Sequence, residues 1–554
     1  MLDRLELDPT LLDADRSFPE APSDFAACLN AHGTYSTIHF VLRLSPRVHQ
    51  LIDAIPSRIA AGEEIDGETI QAYSTYLHET VHWWQHIGST AGLVLSLAYP
   101  AQAHQNSERL EQFAQHVGPK KSIMRWAEMA ALAGETIDNP GLRAANIVVN
   151  NAIDIEFYKI IAFNKDRAAL KQAMHHQYFE SVGHCYWMAY GHALALLSAT
   201  VDRGQLHLPD GQQWDELFRQ VRAAKVEGWV HGEPVRMPPL GLRALFEGQA
   251  RMIQLQFLTF GVANPPSCEE LRDDGYFDER YGEAFKLFLK TTGAAWPKTI
   301  DDPVVALFLL IVDLAINPTA GFPLDIESFE NFILDVDPGV RFLRFCLAVA
   351  NRPELLSSIK NYSRSEYMSV AASLTEACGY DHPGTALSLV KTWATNAKGI
   401  AQILKEKETF RFEAANLVVR VLFSYFVSFC IDKLERPEFF CWTGAWMAGE
   451  RVSETSQGLF LKYLALFTDR ADDNGIFPRR IPGVEPEALT RTLSTFYGNV
   501  VQYDLIRQWI VMDGPFRYDF EWLSQNHSKE DMANWAGPVF EKAYGVRLTD
   551  FEMV

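Results

Sequence analysis

Residues 78–82 read His78-Glu79-Thr80-Val81-His82, the one string in this 554-residue chain whose residue types and spacing prescribe a reaction. On a helix, positions four apart share a face, so both imidazoles can aim at one tetrahedral ion. Glu79 then lies beside that ion, placed to take a proton from a water whose pKa the metal has lowered to about 7. With 16 histidines in the chain, about 0.03 such strings are expected by chance. The spacing therefore predicts Zn2+ as cofactor, His78 and His82 as ligands and Glu79 as general base. His86 extends the stripe, but it lies about 12 Å along the axis from His78 at 1.5 Å per residue, so it is read as a neighbour of the site.

The chemistry requires a helix, and the sequence supplies one. Asp66 and Thr69 offer N-cap oxygens, Pro100 is a stop signal, and the segment between them reads as one helix or a slightly interrupted one, at about 68–98. Ile70, Tyr73, Leu77, Val81, Trp84, Ile87 and Ala91 recur at three- and four-residue steps, the pattern of a helix buried along one broad face. The pair Trp83-Trp84 is expected to pack this helix into a core. Upstream, Ile38, Phe40, Leu42 and Leu44 alternate with more polar neighbours, which predicts a strand over 34–44. An edge strand there would hold an extended peptide by backbone hydrogen bonds.

Two downstream segments compete for the third ligand. In Asn150-Asn151-Ala152-Ile153-Asp154-Ile155-Glu156, Asn150 and Asp154 share a face of an otherwise apolar helix, where polar groups must find partners. In Leu245-Phe246-Glu247-Gly248-Gln249-Ala250-Arg251 an acid is followed by small residues that let another backbone approach closely. Arg251, one turn beyond Glu247, is a candidate to orient that carboxylate. Glu247 ranks first and Asp154 second. Glu180 and His184, four apart, and the polar groups of Tyr190 and His192 are further candidates, each with a core packing role as the alternative.

His78-Glu79-Thr80-Val81-His82 taken with Glu247-Gly248-Gln249-Ala250 resembles the gluzincin group of metallopeptidases. The extended string through Trp83-Trp84-Gln85, followed by Ser89-Thr90 and Gly92-Leu93, resembles a set of bacterial zincin-like proteins. The resemblance spans about the first half of the chain. It implies a His-His-Glu zinc site completed by Glu247. The Asn-x-Ala-x-Asp string at 150–154 is similar to one in another bacterial metallopeptidase-like group, in which the acid is the ligand, and this would make Asp154 the third ligand.

Most of the remaining chain reads helical, with a strand hint near Gln205–Leu208. The fold class expected is mainly α with a small β component: a zincin-like catalytic region at 1–265 and a large helical C-terminal region at 266–554, divided at Ala263-Asn264-Pro265-Pro266-Ser267, with a sub-boundary in a loop near 470–486. The apolar runs Val304–Ile316 and Leu417–Ile431 are too short or too interrupted to span a bilayer and read as central helices. A net charge of −20 disfavours nucleic acid and anionic membranes as partners. The seven cysteines form no Cys-x-x-Cys pair and the N-terminus carries no apolar signal region, which together point to a cytoplasmic protein with reduced thiols. The function expected is zinc-dependent hydrolysis of a peptide or protein substrate. Two alternatives differ in class. One is a helical di-metal carboxylate oxidoreductase, which would need a second Glu-x-x-His; the other is a zincin-scaffold binding or regulatory protein with little turnover.

Overall fold

The helix that carries the motif ends well before Pro100, and the residue that ends it is Ser89. In the computed structural model, which describes residues 2–4, 7–8, 11, 32–164, 167–229, 237–520, 522–523 and 527–554, helix α2 runs over Gly67–Gly88, and α3 over Thr90–Val117 with Pro100 inside it. Asp66 caps α2 by accepting from the Thr69 amide at 2.9 Å, a contact typically worth about 1 kcal/mol. At the junction Ser89 is extended, its hydroxyl donating to the Gln85 carbonyl at 2.6 Å and accepting from the Gly92 amide at 3.0 Å. Gly92 permits the sharp break, because a Cβ there would stand 1.9 Å from the Gln85 carbonyl oxygen. Pro100 costs α3 one backbone donor, but burial of Leu97, Ala98 and Ala101 around it holds the helix together.

Two compact units form, each from three chain segments: Met1–Leu93, Met237–Thr395 and Tyr425–Arg479 in the first, Val94–Arg236, Asn396–Ser424 and Arg480–Val554 in the second. They cut across the division at 265/266. The reason is visible at β1 (Leu2–Arg4) and β5 (Val262–Asn264), which pair in parallel and tie the expected break point into the first unit. Pro9, Pro19, Pro22 and Cys28 lie outside the described residues. The six described cysteines are buried free thiols.

The first unit also holds β2 (Gly33–Ser36), β3 (Val41–Leu44), α1 (Pro46–Ala60), α2, α9 (Leu242–Phe260), α10 (Cys268–Asp273), α11 (Glu279–Thr292), α12 (Pro303–Ile316), β6 (Phe467–Arg470) and β7 (Asp473–Pro478). Its sheet has the order β2-β3-β6-β7, with β3 parallel to β6 and the other pairs antiparallel. The single strand expected over 34–44 is thus a hairpin. Ser36 makes the turn: its Oγ accepts from the His39 amide at 3.3 Å, and Phe40 adopts φ 57°. Part of the loop expected near 470–486 is strand β7, which pairs with β6 just before it. Asp469 fastens β6 to β3, its Oδ1 taking the Leu44 amide at 3.2 Å and lying 2.7 Å from His49 Nε2.

Helix α2 is buried on nearly every side from Leu77 onward, so the apolar stripe understates its burial. Trp84 lies among the rings of Phe429, Phe439, Phe440 and Phe460 and donates its indole N–H to the Tyr463 carbonyl at 2.7 Å. Trp83 packs on Tyr35 and Tyr425, so both tryptophans are core residues, as the sequence predicts. Helix α9 packs against α2 and α11, and it meets the helix Thr443–Trp446 so closely that a Cβ on Gly444 would stand 2.0 Å from the Ile253 carbonyl. Val305 to Ile316 of α12 are all buried.

The second unit contains most of α3, then β4 (Lys120–Lys121), α4 (Ile123–Leu132), α5 (Pro140–Tyr158), α6 (Arg167–Met174), α7 (Val182–Val201), α8 (Gly211–Ala223) and β8 (Glu552–Met553), with β4 and β8 paired in parallel. Gln205–Leu208 is not a strand. The Asp202 carboxylate accepts the amides of Leu206, His207 and Leu208, curling the segment around one side chain. The fold is mainly α with a small β part, and no helix among the described residues is long and apolar enough to cross a membrane.

Candidate metal centre

His78 and His82 stand one turn apart on α2, and their Nε2 atoms lie 3.2 Å apart. Helix α9 brings Glu247 to them: its Oε2 is 3.6 Å from His78 Nε2 and 3.4 Å from His82 Nε2. Among the described residues this is the group of three His, Cys, Asp or Glu side chains whose ligand atoms converge, all within 4.8 Å of one another. A coordination tetrahedron built on bonds of about 2.0–2.1 Å has edges of roughly 3.3 Å. The triangle of donor atoms therefore fits one face of such a tetrahedron. The His82 and Glu247 side chains retain 13% and 17% exposure, so the group is not sealed in the core.

The orientation of His82 is fixed by Gln85, three residues on. Gln85 Nε2 donates to the Phe246 carbonyl and to Gln249 Oε1, both at 2.9 Å. Its Oε1 therefore faces His82 Nδ1, at 2.8 Å, and makes that nitrogen the protonated one. In the neutral ring, Nε2 then carries the lone pair that points at His78 and Glu247. The same amide links α2 to α9, so the contact that orients the imidazole also positions the helix bearing the carboxylate. His78 Nδ1 is buried without a hydrogen-bond partner. Its ring meets Tyr281 edge-on at 5.9 Å.

The electrostatics describe a group with one proton to lose. Burial disfavours a charge on His82, but Glu247 outweighs it, and the imidazole pKa rises to about 9. Burial lowers that of His78 to about 3, with the His82 charge adding to it. Burial opposes ionisation of Glu247, yet the two histidines beside it hold its carboxylate well below the usual range. Carboxylate and neutral His78 are therefore ready to ligate at neutral pH, and a cation entering displaces one proton from His82.

Glu79 is buried on α2 beside β2. A Cβ on Gly33 would stand 2.7 Å from Glu79 Cγ and 2.9 Å from its Oε1, so only glycine leaves this carboxylate its position. The expected neighbour His86 packs between Tyr35 and Phe246, outside the converging donors. Arg251, the candidate to orient Glu247, is buried one turn beyond it on α9. It lies over Tyr281, 4.0 Å from the ring centroid, and donates to Gln254 Oε1, while the Arg280 guanidinium stands 3.9 Å from Glu247 Oε1.

Of the two candidate third ligands, the fold brings Glu247 to the histidines. Asp154 belongs to α5 in the second unit, where its Oδ2 lies 3.1 Å from His184 Nε2. Glu180 joins that pair at 3.7 Å, and Tyr190 and His192 lie on α7 in the same unit. Sequence reasoning gave no role to Gln85, Gly33, Arg280 or Tyr281. Only Gln85 carried a local signal, since position i+3 from a ligating histidine shares its helix face. Comparison of this chain with protein-family models, curated proteins and solved structures returns no significant match.

Proposed function

We propose that the protein is a zinc-dependent metallopeptidase, with His78, His82 and Glu247 as ligands and Glu79 as general base. The observation that carries this reading is the donor triangle, whose 3.2, 3.4 and 3.6 Å edges suit a tetrahedral ion with one position left for water or substrate. The donor set of two neutral imidazoles and a carboxylate is one that catalytic zinc uses. Zinc bound there supplies Lewis acidity, acidifying water and polarising a carbonyl.

The chain's own residues do the rest. Glu79 accepts the proton of the attacking water and delivers it to the departing amine, the two halves of general acid–base catalysis. Gln85 keeps His82 in the ligating tautomer. Gly33 leaves room for the Glu79 carboxylate, and the strand on which it lies, β2, is at the end of its sheet among the described residues. A peptide adding to β2 in extended form would run beside Glu79, which supports a peptide as substrate.

Protein purified without added metal should contain close to one zinc per chain, and His82→Ala should remove it. Glu79→Gln should keep the zinc while cleavage of a mixed peptide library falls at least about 100-fold. Wild-type protein with no zinc, or a Glu79→Gln variant that cleaves as wild type does, would overturn the reading.

A further inference from the structure

A cleft of about 1050 Å³ in the second unit is walled by α3, α5, α7 and α8 and has no part in the metal chemistry. That volume lies at the upper end for small-molecule sites. Its charge is opposite to that of the chain. In a protein of net charge −20, three arginines line this cleft, Arg109, Arg203 and Arg219, against one carboxylate, Asp215. That carboxylate is already engaged, accepting the Trp187 indole N–H at 2.6 Å. Arg109 donates to the Gln112 amide and Arg203 to the Ala199 carbonyl, and among the described residues neither guanidinium is paired with an acid. Arg219 lies 3.4 Å from Glu216 on an exposed surface, where such a pair holds weakly.

Two polar atoms inside the cleft lack partners. Ser198 is only 5% exposed, and its hydroxyl makes no hydrogen bond, although Thr200 on the same helix donates back to the Leu196 carbonyl at 2.7 Å. His192 Nδ1 is likewise buried and unpartnered. A buried hydroxyl left unsatisfied costs about 1–3 kcal/mol, a cost that a bound acceptor removes. Beside these groups Ile147, Met188 and Ala195 give the cleft an apolar floor.

We propose that this cleft binds a metabolite-sized organic oxyanion, its phosphate or carboxylate head taken by Arg109 and Arg203, with Ser198 donating to it and its body resting on Ile147, Met188 and Ala195. Guanidinium forks match both kinds of head, and they are the side chains best suited to planar or tetrahedral oxyanions. The apolar floor is what asks for an organic body. The high content of acids elsewhere makes the local basic lining a feature of this cleft and not of the surface at large.

Calorimetric titration of the full-length protein at low ionic strength tests this with four probes: glucose 6-phosphate, citrate, inorganic phosphate and glucose. At least one organic anion should bind with Kd below about 1 mM, and glucose should not bind. Arg109→Gln/Arg203→Gln should weaken binding at least about 30-fold, and Ser198→Ala about three- to tenfold. Arg203 is exposed, so Arg203→Gln alone, which should lose about tenfold, serves if the double variant fails to fold. The preferred anion identifies the head group. Absence of binding by both organic anions, equal binding of inorganic phosphate and the organic anions, or unchanged affinity in the arginine variants would each overturn the proposal.

Discussion

Two of the histidine–carboxylate groups among the described residues, each built across a pair of helices, differ in what they leave open. On α2 and α9, two imidazoles present Nε2 to one carboxylate oxygen, with donor separations of 3.2–3.6 Å and the Arg280 guanidinium 3.9 Å away on the other oxygen. On α5 and α7, one imidazole stands between two acids, 3.1 Å from Asp154 and 3.7 Å from Glu180. There the surroundings are filled: Arg222 Nε stands 2.7 Å from Glu180 Oε1, and the Cys185 thiol donates to Asp154 Oδ1 at 3.5 Å. The same residue types thus give a convergent donor set in one case and a closed ion-pair network in the other. What separates them is the second histidine, four residues along, whose Nε2 lies 3.2 Å from that of the first.

Removing a carboxylate from each group is the strongest way to break the contrast. Glu247→Ala should abolish zinc retention through dialysis, whereas Asp154→Ala should leave the zinc content unchanged. Metal analysis of the two purified variants decides it; loss of zinc in Asp154→Ala would erase the distinction between the groups. Next in size is the orienting amide. Gln85→Leu keeps the volume but removes the acceptor at His82 Nδ1, and should weaken zinc affinity about 10- to 100-fold, measured by competition with a chelating dye. An affinity within about twofold of wild type would show that the tautomer is set by something else.

Gly33→Ala acts on the base and not on the ligands. The new methyl group would stand within 3 Å of Glu79 Cγ and Oε1, in a position that one of the two side chains must vacate. Zinc content should stay near wild type while kcat for peptide cleavage drops about tenfold, the scale expected when a general base is displaced but retained. An unchanged kcat would show that Glu79 has room to move, and that Gly33 is there only for the strand.

Which of these residues a sequence discloses follows from how local their task is. His78, Glu79 and His82 are legible because one helix turn fixes their relation, and Asp66 announces where that helix starts. Glu247 is legible through its small neighbours: Gly248 stands where a Cβ would meet the Phe308 ring at 3.3 Å and Ala284 at 3.4 Å, so α9 is approached closely by α11 and α12. Gly33 and Arg280 are not legible, since their contacts with Glu79 and Glu247 exist only after distant segments pack. The same holds for the sheet. Its parallel step joins Leu42 to Thr468, so the stretch beyond Asp469, rich in Asp, Gly and Pro, reads as loop until its partner strand is known. The two units share this difficulty, because the chain leaves and re-enters each of them, and no composition shift marks those crossings. At Gln205–Leu208 the reading failed for a smaller reason, a single carboxylate at Asp202 collecting three amides that a strand would have paired elsewhere.

The smallest effect belongs to the closed group and concerns pH. Burial disfavours the charged form of His184, but the Asp154 carboxylate outweighs it and raises the imidazole pKa above its ordinary value of 6.5. A raised folded-state value means the interaction contributes fully below about pH 6.5, where the unfolded chain is also protonated, and is lost as pH climbs through the folded value. Local opening of α7, followed by hydrogen exchange of its amides, should therefore become easier in the wild type as pH rises above about 6.5. In His184→Gln, which keeps a donor for Asp154 but has no proton to lose, the change should be smaller. Parallel pH dependences in the two proteins would mean that the α5–α7 contact is held by packing, and that the charge on His184 adds nothing to it.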